Sequence, residues 1–288
     1  MWIRRLLRHL LALFLTAVLG GLLGATLVRL APGFSVDERE LDARLSENSI
    51  QALRHSQTGQ QSIVAFYLRY LAGLSRGDLG ISRSLGRPVA ELFVERAPVT
   101  LRLVALGLVG GWLLGFAFAL PNAMHRGWRY DAFATVVSGL VLCLPSAVIA
   151  LLFVYFRQPG SLAVALVIFP RIFRYARNLF LKASNSPHII TAKAKGLSAT
   201  RILFWHILPP AAPPLFALVG VSVSMAFGAA IPIEVICDLP GIGQLAWQAA
   251  LGRDLPLLVN MTFFVTLVTL AANSISDLAC KGLTRQTA

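Results

Sequence analysis

Thr191 to Pro210 reads TAKAKGLSATRILFWHILPP, a basic, glycine-punctuated stretch wedged between two long uncharged hydrophobic runs. His188 to Lys195 can form about two turns of helix after Pro187, with Gly196 supplying the left-handed residue that ends it. Ser198 can cap a second helix running to Leu208, which buries Ile202, Leu203 and Trp205 against a bilayer surface. Helix, glycine and helix together make a small rigid knob. An ordinary basic loop on the cytoplasmic side fits the same letters.

The rest of the chain says what such a knob is attached to. Of 288 residues, 56% are hydrophobic and 14% charged, more apolar surface than one soluble core can hide, so lipid is the solvent. A net charge of +13 in a soluble domain would suggest nucleic acid. Here the surplus sits beside hydrophobic ends, as cytoplasmic loop charge does, and no nucleic-acid partner is expected. Cys143, Cys237 and Cys280 are odd in number and far apart, and read as free thiols rather than a zinc site or redox pair.

Uncharged runs long enough to cross a bilayer core of about 30 Å lie at Leu10 to Val28, Leu103 to Met124, Ala132 to Phe156, Ile207 to Ile233 and Leu255 to Ser276. A further candidate, Gln158 to Pro170, is too short unless it continues through Ile172, Phe173 and Tyr175. Loop charge decides that it does cross. Counted as a span, it puts Arg4, Arg5, Arg8, Arg126, Arg129, the cations from Arg171 to Arg201, Lys281 and Arg285 on one side, the cytoplasm. Six spans with both termini inside follow, with Pro170 kinking the fourth and Arg171 and Arg174 snorkelling toward the headgroups. Arg4, Arg5 and Arg8 before an apolar run mimic a secretory signal, but the run is long enough to span and Arg29 follows it, so it reads as a retained first helix. Ala31 to Ala97 is then an extracytoplasmic loop. It carries a helical pattern over Gln61 to Leu74, a turn at Ser75 to Gly80, and a short helix from Pro88 to Arg96 stopped by Pro98. The whole chain, 1–288, reads as a single membrane domain.

Ala192, Ala194, Gly196, Leu208 and Pro209 stand where permeases of binding-protein-dependent ABC importers carry their coupling loop, and the stretch resembles that loop. The likeness extends over nearly the whole chain and narrows to the dipeptide and oligopeptide branch. Its carriers, in order, are Arg4-Arg-Leu-Leu7, Arg29-Leu-Ala-Pro-Gly33, Tyr67-Leu-Arg-Tyr70, Gly77-Asp-Leu-Gly80, Gly86-Arg-Pro-Val89 and Pro98-Val-Thr-Leu101, then Glu234, Asp238-Leu-Pro-Gly-Ile-Gly243 and Arg253-Asp254. Thr191 occupies a position where the broader superfamily often has Glu, while Thr-Ala-basic-Ala-Lys-Gly is typical of the peptide branch. The connection at Arg157 to Gly160 is shorter than that branch usually shows.

The resemblance implies an all-α, polytopic bundle of six transmembrane helices, with 171–210 as the cytoplasmic coupling loop, in a bacterial inner membrane. It implies a homologous second permease subunit, two cytoplasmic ABC ATPase subunits and an extracytoplasmic solute-binding protein as partners. Thr191, Ala192, Lys193, Ala194, Lys195, Gly196, His206, Leu208 and Pro209 are the coupling residues so implied. The chain itself is expected to have no ATP site, cofactor or metal: Pro240 to Gly243 opens no Gly-Lys-Ser/Thr element, and His188 has no ligand partner at metal spacing.

Small residues recur at fourfold spacing, at Gly20 and Gly24, at Gly107, Gly111 and Gly115, and at Gly220, Ser224 and Gly228, a pattern that permits close helix contact. Ser222 and Ser224 are candidates to touch a translocated solute. The rival reading is a self-contained secondary transporter or channel. Such carriers place acids or histidines at mid-membrane, whereas the last helix here offers only Asp277, at the end of its apolar run. An intramembrane enzyme would need a Ser-Lys, His-Glu or paired-carboxylate arrangement that the sequence lacks.

Overall fold

The computed structural model describes residues 76–125 and 127–286 together with Leu15, Leu19, Gly20, Leu22, Leu23, Thr26, Tyr70, Ala72, Gly73 and Leu74. Most of the expected first span, and the loop as far as Arg69, lie outside the described residues. The described chain is helical: α1 Val89–His125, α2 Trp128–Cys143, α3 Ser146–Tyr155, α4 Gly160–Ser184, α5 Pro187–Ala194, α6 Ala199–Ile202, a π-helical turn Leu203–Ile207, α7 Leu208–Ile236, α8 Ile242–Leu251 and α9 Leu255–Gln286. Among the described residues three stretches are long and apolar enough to cross a membrane, Val89–Pro121, Ala199–Ile236 and Leu255–Cys280, and α2 with α3 passes the same test as a bent pair. The helices group into two compact units, one of Arg96–Leu245 with Val268–Ala288, the other of Met1–Glu95 with Ala246–Leu267.

The larger unit is built on α4. Ile172, Phe173, Ala176 and Phe180 on its inner face are wholly buried. Its first residue, Gly160, lies against Ile233 near the end of α7. Phe173 and Phe180 share a cluster with Ile207, Ala211 and Leu215 at the start of α7, so the two helices run antiparallel along their length. On another face α4 meets α1, where Gly107, Gly111 and Gly115 lie under Val164, Ile168 and Ile172. A Cβ on any of these glycines would come closer than 3.0 Å to the facing side chain. The fourfold spacing on α1 is therefore used inside this chain. On α7, Gly220 admits Asn273 of α9 in the same way, while Gly228 faces open space.

Three local readings are corrected. Ala132 to Phe156 is not one continuous helix, because α2 and α3 meet at a bend of 95°. Pro145 has no N–H to continue the ladder and holds Leu144 extended (φ −80°, ψ 126°), so the helix must restart. Pro98 does not stop a short helix, because α1 runs through it to His125. An internal proline costs about 3 kcal/mol, which burial of Leu103, Val104 and Thr100 just beyond it offsets. The helix after Ser198 likewise does not end at Leu208. Leu208 N–H donates to the Leu203 carbonyl, a π turn that joins α6 to α7 without a break.

In the smaller unit, Ser82 to Arg87 closes a tight turn by Ser82 N–H to Arg87 O (2.9 Å). Asp254, fully buried ahead of α9, binds this turn: one carboxylate oxygen accepts from Ser82 Oγ (2.6 Å), Ser84 N–H (2.9 Å) and Ser84 Oγ (2.8 Å). The other accepts Leu257 N–H (3.2 Å), capping α9. Asn260 adds a bond from its amide to Leu79 O (2.9 Å) and accepts one from Tyr70 (3.0 Å).

Gly111→Val should destabilise the protein by about 1–3 kcal/mol through overpacking, read as a lower midpoint of thermal unfolding in detergent. Gly228→Ala, where a Cβ meets nothing within 4 Å, should leave that midpoint in place.

Candidate functional site

The elbow between α4 and α7 is closed by its own backbone. Pro187 starts α5 at a position where a missing N–H costs nothing. At the other end Gly196 takes φ +72°. Gly196 N–H donates to Lys193 O (2.9 Å) and Leu197 N–H to Ala192 O (3.3 Å), the paired 5→2 and 6→1 bonds of a Schellman cap. Two residues on, Ser198 Oγ accepts Arg201 N–H (3.4 Å) and caps α6. Both helix ends are satisfied within a few residues, so the elbow is stiff without help from a partner.

Its inner face is anchored. Ile189 and Ala192 are buried with Phe180 and Ala183 of α4 and with Ile202, Leu203 and Ile207, and Leu197 packs at the edge of this cluster. Its outer face is open: Ile190, Thr191, Lys193, Ala194, Lys195 and Gly196 are all exposed. Trp205, expected against a bilayer surface, points away from this cluster and is 75% exposed beside Phe204. The π turn sets the phase so that Ile202, Leu203 and Ile207 take the inward positions instead.

His188, to which the sequence assigns no role, braces the elbow. Its Nε2 lies 3.4 Å from the His206 carbonyl. That carbonyl would serve the N–H of residue 210 in an ordinary helix, and residue 210 is proline. The signal was present as a Pro-Pro pair four residues after a histidine, but only the fold brings the second histidine to it. His206 is half-buried, as is Leu208, and Pro209 is exposed in the first turn of α7.

The two serines flagged on α7 differ. Ser222 is fully buried, accepts Trp112 Nε1 (3.1 Å) and donates to Val219 O (2.8 Å). Ser224 is half-buried and donates to Gly220 O (3.4 Å).

The opposite end of α7 carries Glu234, fully buried. One of its oxygens accepts from Thr100 Oγ1 on α1 (2.7 Å), the other from Gly243 N–H (2.7 Å) and Gln244 N–H (3.2 Å). Thr100 Oγ1 in turn accepts Ile242 N–H (2.7 Å). The first N–H groups of α8, which no helix can satisfy for itself, are thus bound by side chains of α1 and α7. Gly241 and Gly243 let the backbone close over the carboxylate, since a Cβ on either would come closer than 3.0 Å to it.

The family model described as "Binding-protein-dependent transport system inner membrane component" matches residues 107–287. The oligopeptide transport system permease protein OppB of Haemophilus influenzae is 30% identical over 276 residues, covering 88% of each chain. OppB of Salmonella typhimurium is 30% identical over 263 residues, covering 83% of this chain and 84% of the relative. AppB of Bacillus subtilis, also described as an oligopeptide permease protein, is 28% identical over 241 residues, covering 74% and 76%. Among solved structures, an inward-facing MetNI methionine ABC transporter chain superposes with a TM-score of 0.62 at 15% identity, covering 67% of this chain and 96% of that one. At that identity the likeness establishes the fold.

Glu234→Ala leaves two buried donors, Thr100 Oγ1 and Gly243 N–H, without this acceptor at about 1–3 kcal/mol each, and the half-buried Gln244 N–H as well. It should lower the unfolding midpoint far more than Thr100→Ser, which keeps the hydroxyl; equal midpoints for the two variants would remove the carboxylate from this role.

Proposed function

The chain belongs to the binding-protein-dependent transport system inner membrane components, the permease subunits of ABC importers, and on that premise we propose that it carries peptides inward using force received at the elbow. The peptide assignment is supported by the OppB and AppB relatives, each matched over most of its length. The permease works with ATPase and binding-protein partners, as its family implies. Two ATPase subunits, one homologous permease, and an orientation with both termini in the cytoplasm complete the proposed assembly. Six spans follow from that orientation, with α4 as the fourth and 31–97 outside.

The observation that carries the mechanism is the elbow's two-sided build. Thr191, Lys193, Ala194 and Lys195 face outward for the ATPase to grip, while Ile189 and Ala192 on the same two turns are packed into α4 and the start of α7. A push on the outer face therefore moves two long helices as one body. Gly196 keeps the lever rigid, His188 holds it to the His206 carbonyl, and Leu208 and Pro209 pass the motion into α7. ATP-driven closure of the ATPases has an effect only if the two permease states bind the closed ATPases unequally. Of the pathway serines, Ser224 is partly open, and Ser222 becomes available to solute if Trp112 releases it.

A secondary transporter or channel would need its own coupling groups at mid-membrane. Among the described residues the two fully buried carboxylates instead cap helices, Glu234 for α8 and Asp254 for α9.

Gly196→Val places a β-branched residue at φ +72° and should cut ATP-dependent peptide uptake to below about a tenth while the protein stays in the membrane. Gly196→Asn, which tolerates that φ, should retain much more. Unchanged ATP-dependent uptake in the valine variant would count decisively against coupling through this elbow.

A further inference from the structure

α4 is amphipathic in a place where lipid-facing helices are not. Arg171, Arg174, Tyr175, Asn178 and Lys182 follow one another at three- and fourfold spacing, on one arc of the helix. Arg171, Tyr175, Asn178 and Lys182 are exposed and Arg174 is half-buried. Arg177 lies off this arc and is paired with Asp131 of α2. The cations on the arc have no such partner: among the described residues Arg171 and Lys182 make no side-chain hydrogen bond or ion pair, and Arg174 reaches only Ser138 Oγ, at 3.4 Å. Gly139 leaves room for that guanidinium, since a Cβ there would stand 3.2 Å from it.

Depth makes this arc informative. Arg171 is the twelfth of the 25 residues of α4, and the helix runs antiparallel to the membrane-crossing α7 along its length. At 1.5 Å per residue, Arg171 is about 16–20 Å from either end, whichever end is cytoplasmic. Half of a bilayer core is about 15 Å, beyond the reach of one arginine side chain, so snorkelling to a headgroup does not accommodate it. The half of α4 before Arg171 uses the neighbouring arc for packing, with Val164 and Ile168 under the glycines of α1. From Arg171 onward the arc opens. A tightly packed second permease is a poor occupant, because membrane helix interfaces use small residues and interface cores are depleted in lysine.

We propose that this face of α4 lines a water-filled path and attracts the carboxylate of a passing solute. A guanidinium fork at mid-depth matches a carboxylate in two bonds. Several exposed cations in a row, rather than one enclosed pocket, offer the successive weak sites that let an ion move on. The inference rests on the permease reading and deepens it: the solute is one with a free carboxylate, which every unmodified peptide has.

Two measurements on the complete importer, reconstituted with its partner permease, ATPases and binding protein, test this. In the first, Asn178→Cys is introduced with Cys143, Cys237 and Cys280 replaced by serine. It is treated with a negatively charged sulfonatoethyl and a positively charged trimethylammonium methanethiosulfonate. Both should react, and adding Arg171→Gln should slow the anionic reagent by about fivefold to tenfold while quickening the cationic one. An unreactive cysteine, as packing against lipid or another permease would give, or rates indifferent to Arg171, would overturn the proposal. In the second, uptake of trialanine with a free carboxylate is compared with ATP hydrolysis stimulated by binding protein. Arg171→Gln should lower maximal uptake about tenfold with stimulated hydrolysis retained, and Arg171→Lys should restore most of it. Parallel loss of both activities, or no loss of either, would reduce Arg171 to a structural part. If the unmutated importer moves no trialanine, the peptide reading fails, and the reagent rates still decide the path.

Discussion

Everything in the larger unit depends on how closely α4 can be approached from two sides. On α1 the absence of side chains at Gly107, Gly111 and Gly115 brings backbone against Val164, Ile168 and Ile172. On the other side α7 runs antiparallel to α4 for its whole length. Lipid gives helices no hydrophobic reason to associate, so these contacts are stabilised by van der Waals packing. Trp112 and Ser222 add a hydrogen bond that joins α1 to α7 directly. The same helix, α4, carries the elbow at its end through Phe180 and Ala183. Lever and bundle therefore share one rigid body.

Buried carboxylates organise the segments away from the elbow. Glu234 collects two backbone N–H groups from a helix start and a hydroxyl from a distant stretch, and Asp254 one such N–H and two hydroxyls. A carboxylate with both oxygens occupied by donors is well satisfied in low dielectric, where an unpaired one would be costly. This accounts for acids in a chain that has few.

Much of this was legible in the residues. The two elbow helices, the left-handed Gly196 between them, the cap at Ser198, the apolar runs behind α7 and α9 and the glycine face of α1 all follow from local rules, and each rests on neighbours within a few positions. What was not legible depended on distance or phase. Hydropathy registers Ala132 to Phe156 as one apolar run because it is blind to the missing N–H of Pro145. Pro98 stops a helix by local rules, but the burial that carries α1 through it comes from elsewhere in the chain. The π turn that joins α6 to α7 has no local signal in the letters. His188 and Thr100 find partners that only the fold brings near.

Which side of the membrane the elbow occupies, and what touches it there, separates a lever from an ordinary loop. Ala194→Cys, in the complete importer with its other cysteines replaced, can be challenged with a membrane-impermeant thiol reagent from either face and with a short bifunctional thiol cross-linker. The elbow as lever predicts labelling from the cytoplasmic face alone and a cross-link to the ATPase subunit whose yield changes with bound nucleotide. Labelling from the outer face, or a cysteine that never meets the ATPase, would contradict it.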